Sequence, residues 1–127
     1  IILLGVSRTS KTPTSIYLAN RGFKTLNIPL VLDQKIPDFL KTNNYKLCVI
    51  GLTADPERLA EIRKTRANTN NNIDLKLYTD VEKIKEEVDT SKAMFKKFNW
   101  PMIDVTRRSV EETAASIIKI YEIKKNK

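Results

Sequence analysis

With 127 residues the chain has room for one core, and 41% hydrophobic and 30% charged residues with only 3 Gly and 5 Pro exclude a disordered or fibrous protein. The formal charge of +8 and a pI of about 9.6 favour an anionic partner, whether nucleotide, acidic protein surface or nucleic acid, without choosing among them. Having no His and one cysteine, Cys48, the chain lacks an imidazole proton shuttle, a zinc cluster and an internal disulfide, so acid–base chemistry falls to Asp, Glu, Lys or Tyr.

Ile1 to Leu4 reads as a short buried strand, far below the length of a signal-peptide core or membrane span, so neither export nor a membrane partner is expected and a reducing, cytoplasmic setting is. The chain enters this strand without a Met, which points to a domain cut from a longer protein. Gly5 to Thr12 is a polar, basic turn leading into a helix over Pro13 to Arg21, which Gly22 stops. Thr25 to Leu32, interrupted by Pro29, predicts an edge or bent strand. Lys46 to Leu52 predicts the clearest strand, with Cys48 buried in it, and Asp55-Pro56 supplies a cap and a first-turn proline for a helix to about Ala67. Asn68 to Asn72 reads as an exposed loop. Thr79-Asp80-Val81-Glu82 has capping-box spacing before a long helix carrying Val81, Ile84, Val88, Phe95 and Phe98 on one face. Met102 to Val105 predicts a short strand, and Ser109-Val110-Glu111-Glu112 a second capping box before a helix striped by Val110, Ala114, Ile117 and Tyr121. Alternating strands and helices predict an α/β fold with a mainly parallel sheet covered on both faces.

Gly5-Val6-Ser7-Arg8-Thr9-Ser10-Lys11-Thr12 follows the phosphate-loop pattern G-x-x-x-x-G-K-[ST], with Ser10 at the second glycine. Its place between a buried strand and a helix is the context the chemistry needs, because successive N–H groups and the helix start then face phosphate oxygens. Lys11 is expected to neutralise the terminal phosphates and the Thr12 hydroxyl to ligate Mg²⁺. Serine at position 10 is expected to fit only with a negative φ. The expected fold class is therefore a P-loop NTPase-like three-layer sandwich, one domain over residues 1–127.

Residues 5 to 19, Gly-Val-Ser-Arg-Thr-Ser-Lys-Thr-Pro-Thr-Ser-Ile-Tyr-Leu-Ala, resemble the signature of the pyruvate, phosphate dikinase regulatory protein family. Gly51-Leu52-Thr53 with Pro56-Glu57-Arg58-Leu59 and Ile62-Arg63, and the block from Ile103 to Ala114, resemble further family blocks in the family's order. The resemblance implies a cytoplasmic bifunctional enzyme with a further N-terminal region before the phosphate loop, so this chain is expected to be the C-terminal domain of a longer protein. An ADP-dependent kinase acts on a Thr beside the catalytic histidine of the dikinase, and a phosphate-dependent activity removes that group and releases pyrophosphate. A sister branch acts on phosphoenolpyruvate synthase and usually carries Gly where this chain has Ser10, so Thr9-Ser10 points to the dikinase branch. The resemblance places ADP or inorganic phosphate on residues 5 to 12. Lys11 and Arg8 then supply charge to the transferred group.

Asp104, at the end of a strand, is the first candidate for orienting the attacking hydroxyl or holding Mg²⁺ through water, and equally fits a turn cap. Arg107 and Arg108 are candidates for clamping nucleotide or partner. Lys24 is weighed as a second phosphate contact against ordinary exposure, Arg63 and Arg66 read as surface or partner contacts, and Trp100 as a packing residue. A homo-oligomer remains open. A small-molecule phosphate-loop kinase is the competing enzyme, short of room for lid and acceptor pocket. A nucleic-acid-binding domain fits the charge but has no recognised motif or aromatic platform, so no nucleic-acid partner is expected.

Overall fold

The computed structural model describes residues 1–31, 35–40, 47–67 and 79–126. In chain order these form β1 (Ile2–Gly5), α1 (Lys11–Ala19), β2 (Leu26–Pro29), a 3-10 turn at Asp38–Leu40, β3 (Val49–Thr53), α2 (Pro56–Ala67), α3 (Val81–Lys97), β4 (Met102–Asp104) and α4 (Val110–Lys125). The Asn-rich loop expected over 68–72 lies outside the described residues.

All strand pairs are parallel, in the order β2-β1-β3-β4, with Ile2 opposite both Leu26 and Val49 and Thr53 opposite Asp104. Successive strand residues point to opposite faces. In β1, Ile2 and Leu4 therefore join a core with Leu59 of α2 and Ile84, Val88 and Phe95 of α3. Leu3, with Ile50 and Leu52 of β3, joins a second core against Leu18 of α1 and Ala114 and Ile117 of α4. A sheet buried on both faces explains why β1 and β3 read as unbroken apolar runs. The α/β architecture, with helices on both faces of a parallel sheet, is the one expected, and β2 is indeed an edge strand.

Local chemistry sets the helix ends. Ser109 accepts from the Glu112 N–H at 3.1 Å while Glu112 accepts from the Ser109 N–H at 3.3 Å, completing the expected box. At α3 the cap is Asp80 and not Thr79, because the Asp80 carboxylate already accepts from the Glu82 N–H at 2.9 Å. Helix α1 starts at Lys11, two residues before the expected Pro13, which still falls in the first turn where its missing N–H costs nothing.

From β1 the chain moves outward to β2 and then returns past β1 to β3. The carboxyl ends of β1 and β3 thus flank a topological switch point, where parallel sheets open a crevice for ligands. Gly51 in β3 permits the close approach of α3 behind that point: a Cβ there would stand 2.4 Å from the Phe95 ring. Gly51→Ala is expected to lower the unfolding free energy by about 1–3 kcal/mol in urea titration, as overpacked cores do; an unchanged midpoint would count against this packing.

Candidate phosphate-binding site

The loop leaving β1 lies at the switch point and folds back over its own strand. A Cβ on Gly5 would stand 2.6 Å from Thr9 Oγ1 and 2.9 Å from the Leu52 carbonyl oxygen, so glycine is required where the loop begins. The buried Thr9 hydroxyl donates to the Val6 carbonyl at 2.8 Å. The Lys11 ammonium donates to the same carbonyl at 2.8 Å and to Thr9 Oγ1 at 3.3 Å. These bonds engage a carbonyl and a hydroxyl and leave the amides aside.

Among the described residues, Ser7 and Arg8 form a turn that brings the Thr9 N–H toward the Val6 carbonyl, no oxygen accepts from the N–H groups of Arg8, Ser10, Lys11 or Thr12, and the first helical bond runs from Thr14 N–H to the Ser10 carbonyl at 3.1 Å. The side chains of Arg8, Ser10 and Thr12 are exposed around this run. Arg8 and Ser10 both take left-handed backbone, φ 71° and 62°. Left-handed residues alternating with right-handed ones turn successive amides inward to form a nest for an anion, and the start of α1 adds its partial positive charge. The expectation that serine fits only with negative φ is corrected: Ser10 adopts the conformation the pattern's glycine serves, at a cost of about 1–2 kcal/mol.

Burial, then the charges of Arg63 and Arg8, push the Lys11 pKa down to about 8. Lys11 is thus a cation at neutral pH, held close to its titration point.

Arg63, expected at the surface, is 1% exposed and faces the loop from α2. Its Nη1 donates to Glu87 Oε2 of α3 at 2.8 Å, and its Nη2 to Glu87 Oε1 at 3.5 Å and to the Ser7 carbonyl at 3.2 Å. The physical reason lies in helix spacing: Arg63 sits one turn beyond the wholly buried Leu59, on the same inward face. The side chain of Arg66 lies outside the described residues. Sequence reasoning also passed over Thr53, buried at the carboxyl end of β3, whose hydroxyl has no hydrogen-bond partner among the described residues.

The chain matches the kinase/pyrophosphorylase family over residues 1–118. It belongs to that family. Relatives provisionally named pyruvate, phosphate dikinase regulatory protein include one from Pelagibacter ubique, 64% identical over 126 residues, 99% of this chain and 46% of the relative. One from Maricaulis maris is 52% identical over 99% of the chain and 45% of the relative, and one from Bartonella henselae 52% identical over 94% and 43%. The chain spans less than half the length of these relatives.

Within this kinase/pyrophosphorylase chain the remaining candidates separate. Asp104 ends β4, two strands from β1, or about 10 Å at ordinary strand spacing. Its Oδ1 accepts from the Thr106 N–H at 2.9 Å, the geometry of a turn cap. Partial burial pushes its pKa up, but hydrogen bonds from Thr106 and the charges of Lys92 and Arg108 outweigh this and hold it below the usual carboxylate range. An ionised, weakly basic carboxylate results. Arg107 and Arg108 are exposed beyond β4, Arg107 with φ 59° and Arg108 donating to Ser116 Oγ at 3.4 Å. Lys24 precedes β2 and so lies at the amino end of the sheet, away from the loop, which corrects its candidacy as a phosphate contact. Trp100 stacks on Phe98 at 4.8 Å between ring centroids, a packing role as expected.

Among the described residues there is no cluster of metal-ligating side chains and no helix long and apolar enough to cross a membrane.

Two outcomes follow from the loop. Ser10→Gly relieves left-handed strain but loosens the unfolded chain, for a net gain of about 0.5–1 kcal/mol by denaturant titration; a loss would contradict the assigned φ. Lys11 titrates near 8 when folded and near 10.5 when unfolded, so the unfolded chain binds the extra proton in between. Its contribution to stability is present above 10.5 and lost as pH falls through 8. Subtracting the pH–stability curve of Lys11→Met from that of the parent should leave a rise across this window; a flat difference would contradict the burial of its charge.

Proposed function

We propose that this chain is the phosphoryl-handling part of a bifunctional regulator of pyruvate, phosphate dikinase. It transfers the terminal phosphoryl group of ADP to a threonine of the dikinase, leaving AMP. In the reverse sense of regulation, inorganic phosphate attacks the phosphothreonine, freeing the hydroxyl and releasing pyrophosphate. The observation that carries the reading is the set of unpaired amides of Arg8, Ser10, Lys11 and Thr12 beside the Lys11 ammonium at the start of α1. Family membership and the names borne by the relatives supply the substrate class.

One anion site serves both directions, since the inorganic phosphate that attacks phosphothreonine takes the place of the AMP α-phosphate from which the phosphoryl group is transferred in the forward sense. A loose phosphoryl-transfer transition state spreads charge over equatorial oxygens and asks chiefly for positioning and neutralisation. The amides of the loop supply fixed dipoles, and the Lys11 ammonium, which rests on the Val6 carbonyl, supplies a positive charge for the phosphate oxygens. Exposed Arg8 adds a fork at the rim. Mg²⁺ arriving with the nucleotide would meet the exposed Thr12 hydroxyl and offset phosphate charge. Asp104, ionised and held by Thr106, acts through its charge on the incoming hydroxyl and not as a proton acceptor. The partner is a soluble enzyme, and the cytoplasm is the expected setting.

The test is to incubate the full-length protein with the dikinase and ADP and to follow threonine phosphorylation by mass spectrometry. Phosphorylated dikinase is expected, with Lys11→Ala reducing the rate by about two orders of magnitude or more, in the range for loss of one electrostatic group. Phosphorylation of phosphoenolpyruvate synthase in its place, or of a small alcohol, would overturn the assignment of target.

A further inference from the structure

We infer that Arg63 is a positioning residue of the phosphate loop: held by Glu87, its guanidinium fixes the Ser7 peptide and so sets the amides of Arg8 to Thr12 for an anion. The inference rests on the phosphate-loop reading above and goes beyond it by assigning a residue outside the loop.

Among the described residues Arg63 has the largest of the fully buried side chains. A buried ion pair is a weak device for stability, since apolar residues of similar volume often do as well or better. This pair has a second consequence. Its Nη2 faces both Glu87 Oε1 and the Ser7 carbonyl, so one planar fork ties α2, α3 and the loop together. Ser7 directly precedes the left-handed Arg8, where the nest begins. Fixing the Ser7 carbonyl fixes the plane of the Ser7–Arg8 peptide, and that plane aims the Arg8 N–H. Glu87 in turn fixes the guanidinium, at 2.8 Å on Nη1. The buried positive charge also lies close enough to Lys11 to disfavour its protonation, which places Arg63 within electrostatic reach of the anion. A bound phosphate would therefore feel Arg63 through the peptide it aligns and through its field.

The experiment measures the dissociation constant for inorganic phosphate by calorimetry in the full-length protein, with thermal unfolding to verify that each variant is folded. Wild type and the variants R63Q, R63K, E87Q and K11A are compared. The folded R63Q protein is expected to bind phosphate about ten- to a hundred-fold more weakly, the range for a lost charged hydrogen bond, and E87Q about three- to ten-fold more weakly. R63K keeps the charge without the fork and falls between wild type and R63Q. If R63Q does not fold, E87Q and R63K decide by the same criterion. A role confined to stability would lower the unfolding temperature and leave phosphate affinity of the folded variants at the wild-type value, which overturns the inference alone. Wild type that takes up no phosphate overturns the phosphate-loop reading and this inference together.

Discussion

The first turn of any α-helix has amides with no partner inside the helix, and in this protein the chain just before α1 adds more of them without supplying acceptors. That surplus is the constraint on which the site depends. Unpaired amides are costly away from water and favourable beside an anion, so a helix start left open at the switch point of a parallel sheet is already a binding site in electrostatic terms. Most other features near the loop keep those amides uncapped. Gly5 has no Cβ and lets the loop lie on its own strand, the Thr9 and Lys11 side chains spend themselves on the Val6 carbonyl, and Ser10 offers no side-chain cap to the helix it precedes.

The loop also holds strain that ordinary turns avoid. Arg8 and Ser10 both have positive φ, and Lys11 and Arg63 place two buried cations near one another. Each is unfavourable in isolation, by an amount comparable to a sizeable share of a small domain's net stability. Together they concentrate inward amides and positive charge at the place where a phosphate would offset both. The two cores provide the rigidity such an arrangement requires. Sheet and helices clamp β1 from both faces, and Phe95 packed on Gly51 brings α3, with Glu87 two turns earlier, against the back of the site.

Much of this was legible in the residues. The strand, loop and helix from Ile1 to Arg21 could be read because Gly5, Lys11 and Thr12 stand at fixed offsets after an apolar run, and the Ser109–Glu112 box because its two hydrogen bonds are local. What escaped depends on the third dimension. Strand order places Lys24 at the amino end of the sheet, away from the loop, and no local pattern encodes that order. Arg63 looked like a surface charge on a polar helix, although its spacing from Leu59 marked the inward face. The cap of α3 went to Asp80 because an acidic side chain one residue later outcompeted Thr79, and the φ of Ser10 was misjudged because a serine was expected to refuse what its neighbours impose.

The function of the site rests on the amides from Arg8 to Thr12 receiving an anion. Its most direct test is a ¹⁵N-resolved titration of the protein with inorganic phosphate, following every backbone N–H. Saturable shifts concentrated on Arg8, Thr9, Ser10, Lys11 and Thr12 are expected, with the rest of the sheet unmoved. Shifts spread over the basic surface, or none at these residues, would contradict it.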